Sequence, residues 1–176
     1  MNSIKFVMGC TLVLLSFLHL ASAKEWRGIT PLKSNRADVE RLLGRPDENI
    51  GDTLLTYYFP DMVVSIQLSA IPQCRENLPQ DSWDVSTGTV TTVRVDIRNQ
   101  VLLSDLPVDV NKFKVRKGAS DMNGHFYLTN EDEGYTLEVS RGFVMSYIYE
   151  PELKDQKLRC CTVSNTKPSM EKRNRR

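Results

Sequence analysis

Residues 92–97 alternate without a break: Val93, Val95 and Ile97 fall on one side, Thr92, Arg94 and Asp96 on the other. A two-residue period belongs to a strand with one buried face and one wet face, which is the habit of antiparallel sheets. Other segments carry the same signal. Residues 53–59 and 62–69 flank the turn pair Pro60-Asp61, predicting a hairpin. Residues 125–129, 135–139 and 143–149 predict a three-strand meander, turning at Glu131-Asp132-Glu133-Gly134 and at Arg141-Gly142. Residues 108–117 fit either a helix or a strand, and residues 70–88, with Pro72, Pro79 and Gly88, read as a long loop.

One segment reads as helix. Ser34 or Asn35 can cap its first turn, and Val39, Leu42 and Leu43 form an apolar stripe at i, i+3, i+4 spacing. Gly44 can end it in a left-handed conformation and Pro46 prevents its continuation. So short a helix must be held by packing, which predicts that Leu42 faces a core. The fold expected is therefore α+β: a helix over residues 35–43 laid on an antiparallel sheet, with a second sheet segment from residues 124–149. Residues 24–100 and 101–166 each run from a helical or irregular element into strands, as two tandem helix-plus-meander halves would. The residue-level similarity between them is too low to establish a duplication.

The first 23 residues describe export. Lys5 precedes an apolar run over residues 6–20, and Ala21-Ser22-Ala23 is a small-x-small cleavage signal before Lys24. That is the layout of a secretory signal peptide, and the run is shorter than the roughly 20 residues a membrane-spanning helix needs. Cleavage after Ala23 is expected to deliver a single domain, residues 24–166, to the periplasm or the extracellular space, with no transmembrane segment. The leader removes one lysine and no acid, so the remaining chain carries 22 basic and 22 acidic side chains. Residues 167–176 hold five basic groups against Glu171 and almost nothing apolar, so they read as a disordered basic tail. The domain body is then net acidic, which argues against nucleic acid as a partner.

Cys74, Cys160 and Cys161 survive cleavage. Adjacent cysteines bond poorly, so Cys74 is expected to pair with Cys160 or Cys161, Cys160 being preferred.

Catalytic chemistry finds little purchase. Once His19 leaves with the leader, His125 is the remaining histidine, and it sits in a plain strand without a nucleophile motif. A structural role is expected for it. The consecutive Glu131, Asp132 and Glu133 lack the alternate spacing of a calcium loop. No cofactor or metal is expected. Aromatic residues are more prominent: Phe143, Met145, Tyr147 and Tyr149 alternate as one stripe. Tyr57, Tyr147 and Tyr149 are candidates for a protein interface, with core packing as the alternative.

Leu32, Ser34, Asp38, Val39, Leu42, Leu43, Gly44, Pro46 and Asp47, followed by an aromatic-rich strand, resemble the helix-to-strand segment of the BamE/SmpA outer-membrane assembly family. The resemblance implies a small helix-plus-sheet unit, which occurs as a tandem pair in β-lactamase inhibitory proteins. More broadly, the chain is similar to secreted bacterial proteins that open with the equivalents of Trp26, Arg27, Gly28, Ile29, Pro31 and Leu32 and carry a Cys before a Trp, here Cys74 and Trp83. No cysteine stands at the cleavage site, so the assembly family's lipid anchor is not implied. The function expected is a non-catalytic exported module that binds an envelope or secreted protein. The alternative is a secreted carboxylate-based hydrolase.

Overall fold

A computed structural model describes residues 24–70, 82–117 and 124–160, so the leader, Cys74, Cys161 and the tail at residues 167–176 lie outside the described residues. The strands are β1 (Glu48–Ile50), β2 (Leu54–Tyr58), β3 (Met62–Leu68), β4 (Val90–Leu102), β5 (Lys114–Lys117), β6 (His125–Asn130), β7 (Tyr135–Ser140) and β8 (Phe143–Tyr149). They form one 8-stranded sheet in the order β1-β2-β3-β4-β8-β7-β6-β5. Every neighbouring pair is antiparallel. Two four-strand meanders thus meet through their last strands, β4 against β8. The expected boundary after residue 100 falls inside β4, which continues to Leu102.

The α+β expectation is overturned: this is a mainly-β protein built on a single antiparallel sheet. Among the described residues its α-helix, α1 (Arg36–Leu43), is only 8 residues long, and Val39 is its buried residue. Leu43 is half-buried against the core, but Leu42 is 40% exposed and lies over Gly28. Two turns with one buried side chain make a plug, not a layer. The helix persists because its end is well capped. Asn35 and Asp38 form a reciprocal capping box, each side chain accepting from the other's backbone N–H at 3.1 Å. In the second half the equivalent segment never becomes α-helical. It makes 3-10 turns at Leu103–Asp105 and Val110–Lys112, separated by Pro107, which has no N–H to donate and restricts the residue before it.

Strand alternation assigns the faces. Leu55, Tyr57, Val64, Ile66, Val93 and Val95 point to one side, where Trp26, Ile29 and Val39 cover them. On the same side, Leu137, Val139 and Leu128 are covered by Leu103, Leu106, Val108 and Phe113. Ile97, Tyr147 and Tyr149 pack against both groups, so the two halves share one core across the β4–β8 seam. The expected stripe of Phe143, Met145, Tyr147 and Tyr149 is interrupted. A register shift pairs Glu138 with Ser146 but Val139 with Val144. Met145 is the extra residue of this bulge and is 45% exposed, while Val144 turns inward.

Two further features shape one end of the sheet. Residues 82–84 run beside 158–160: the N–H of Asp84 donates to Leu158 at 2.7 Å and that of Cys160 to Ser82 at 2.9 Å. The β6–β7 turn is bound to the segment after β8, the N–H of Glu150 donating to Gly134 at 2.8 Å and that of Leu153 to Glu131 at 2.7 Å.

Candidate functional site

The side of the sheet opposite the core is polar. Following the register across the strands, one row runs from Tyr58 and Val63 through Asp96, Ser146 and Glu138 to Tyr127. Arg94 stands in the adjoining row, between Ser65 and Ile148. Each residue is here because it occupies the outward phase of a strand whose alternate positions are in the core.

Glu138 is the hub of this face. It accepts from the Arg94 guanidinium and the Ser146 hydroxyl, faces His125 Nε2 at 2.8 Å, and accepts from the Tyr127 hydroxyl at 3.4 Å. Arg94 also reaches Asp96 at 2.7 Å. Burial by itself would raise the carboxyl's pKa. The hydrogen bonds from Ser146 and His125 and the charge of Arg94 outweigh that and hold it below the usual carboxylate range. Burial, reinforced by the charge of Glu138, raises the Tyr127 hydroxyl. His125 thus faces a carboxylate partner on the neighbouring strand. The Ser146 hydroxyl and the His125 ring both address Glu138, so no serine–histidine relay is assembled, and Ser146 is 0% exposed.

At the end of the sheet lies a cleft of about 310 Å³, whose lining includes Gln67, Trp83, Thr92, Glu131, Glu150 and Gln156. Glu131 receives Lys114 at 2.8 Å and also the Arg116 guanidinium. The hydrogen bond and charge of Lys114, with Arg116 adding to them, hold its carboxyl below the usual range. Glu150 accepts from the Thr136 hydroxyl at 3.1 Å, and the Arg159 guanidinium lies 5.2 Å from the Trp83 ring centre. Among the described residues, no three metal-ligating side chains converge.

The tyrosines singled out from sequence occupy the other face. Tyr57 is 3% exposed and its hydroxyl donates to the Gly44 carbonyl at 3.2 Å. Tyr147 stacks on Tyr135 with ring centres 6.2 Å apart, and Tyr149 meets the same ring at 5.3 Å. Burial pushes the hydroxyl pKa of all four tyrosines upward. Tyr57 belongs to the core of the first half, whereas Tyr135, Tyr147 and Tyr149 pack together at the seam. Tyr58, one residue from Tyr57 and therefore on the opposite face, is 48% exposed. Cys160 is buried at 6% exposure beside Ser82, while Cys74 and Cys161 fall outside the described residues. Sequence reasoning missed Glu138. Locally it is one polar residue among Thr136, Glu138 and Ser140 in the outward phase of its strand, and its partners come from three other strands.

Among the described residues, no helix is long and apolar enough to cross a membrane. Compared with family models, curated proteins and solved structures, the chain matches none, so the assignment of a role rests on the geometry above.

Proposed function

We propose that this protein is an exported, non-catalytic binding module that holds another secreted or envelope protein against the open face of its sheet. The observation that carries the reading is the self-paired charge network of Arg94, Asp96, Glu138 and His125. Side chains already fixed by one another lose little entropy on association and set a defined pattern of charge. Tyr58, exposed at one end of the row, supplies an aromatic anchor of the type that dominates interface energies. Export through the leader and release into the periplasm or beyond belong to the same reading.

The test is capture from envelope extract and culture medium with the purified exported chain as bait. Tyr58→Ala and Thr92→Arg on the open face should abolish capture and leave the melting temperature unchanged. Leu42→Ser, on the helix that covers the other face, should leave capture intact. Capture that survives both open-face changes rejects the reading.

One observation favours the hydrolase alternative: Glu131 and Glu150 line the same cleft. Hydrolysis of glycoside or ester substrates that disappears in both Glu131→Gln and Glu150→Gln would establish it.

A further inference from the structure

The cleft at the end of the sheet has a chemistry that the open-face reading does not use. We propose that it is a binding site for a neutral saccharide of one or two sugar rings.

Charge points to a neutral ligand. The lining holds two guanidinium groups, Arg116 and Arg159, and two carboxylates, Glu131 and Glu150. Arg116 is paired with Glu131, Arg159 is engaged over Trp83, and Glu150 already accepts from Thr136. An anion or a cation would have to displace these contacts before making its own, whereas an uncharged ligand leaves them in place.

The rest of the lining suits a polyol. Gln67, Gln156 and Thr92 each offer a group that can both donate and accept, as a sugar hydroxyl does. The planar ends of Gln156 and Glu150 can each bridge two adjacent hydroxyls of a ring. Trp83, Tyr135 and Pro151 contribute apolar surface for the C–H face of the ring. A volume of about 310 Å³ lies at the small end of the roughly 300–1,000 Å³ typical of ligand sites, which limits the occupant to one or two rings.

The walls are preformed. One is pinned by the hydrogen bonds between Glu150 and Gly134 and between Leu153 and Glu131, the other by the antiparallel contact of residues 82–84 with 158–160. A ligand entering such a site does not have to order it first.

The experiment titrates the purified exported chain with maltose, cellobiose and N,N′-diacetylchitobiose, read by calorimetry and tryptophan emission. Inorganic phosphate and spermidine serve as charged controls. At least one disaccharide should bind saturably in the millimolar range or tighter. Gln156→Ala, at an exposed position, should weaken that binding about tenfold without changing the melting temperature. Trp83→Phe should remove the emission change, leaving the signal of Trp26. The proposal is overturned if none of the three disaccharides binds, if a charged control binds more tightly, or if Gln156→Ala and Gln67→Ala both leave the affinity untouched. Loss of partner capture in Tyr58→Ala, which lies outside the cleft, with saccharide binding retained, separates this site from the protein interface.

Discussion

Gly134 accepts a backbone hydrogen bond from Glu150 at 2.8 Å, and the two segments approach so closely there that a methyl group on Gly134 would overlap the Glu150 carbonyl. The residue also has φ 61, in the left-handed region where a side chain is strained. Gly134→Ala should therefore destabilise the protein by about 3 kcal/mol, strain and overlap acting together. Because this contact builds one wall of the cleft, saccharide binding should fall as well. Denaturant unfolding checks the first effect and calorimetry the second; a loss below about 0.5 kcal/mol would mean the two segments do not meet.

The helix anchors through Val39, not through Leu42. Val39→Ala should cost about 2 kcal/mol, as expected of a fully enclosed aliphatic side chain. Leu42→Ala, at a position 40% exposed, should cost less than about 1 kcal/mol. Urea unfolding of the two variants ranks them directly, and the reverse order would place the helix on its other side.

Glu138 makes stability depend on pH. Its folded pKa lies below its unfolded value, so its contribution is complete above the unfolded pKa, about 4.3, and is lost as pH falls through the folded pKa. Glu138→Gln should lower stability at neutral pH, because Arg94 loses one of its two acidic partners. The variant should also show a flatter decline between about pH 5 and pH 2. Parallel acid titrations followed by circular dichroism would reveal this; identical slopes would deny the carboxylate its central place.

Cys160 lies beside Ser82, which follows Cys74 by eight residues in sequence. Protein isolated from an oxidising compartment should yield a Cys74–Cys160 peptide in non-reducing digests. Its reduction should lower stability by up to about 4–5 kcal/mol, the chain-entropy value for closing so long a loop. Recovery of three free thiols would rule the bond out.

N-terminal sequencing of the exported product should begin at Lys24. A product that starts at Met1 would refute processing after Ala23.

Local pattern determined the pieces of this protein. Asn35 and Asp38 mark the helix start, β8 occupies residues 143–149 as the alternation predicts, and the turn at Arg141-Gly142 has φ 51 and φ 82, the pair of positive angles a two-residue hairpin needs. Each of these depends on neighbours within a few residues. What the pieces build was decided in three dimensions. That β4 pairs with β8 is a contact between distant segments, and it turned an expected helix-on-sheet domain into one continuous sheet. The bulge at Met145 shifts the register of β8 against β7, and it breaks a stripe that looks unbroken in sequence. Tyr57 and Tyr58 differ by a single step of strand phase, yet one is sealed under α1 and the other meets solvent. Glu138 becomes a hub only when Arg94, His125, Tyr127 and Ser146 arrive from other strands. Periodicity says which residues share a face; only tertiary packing says which face is covered.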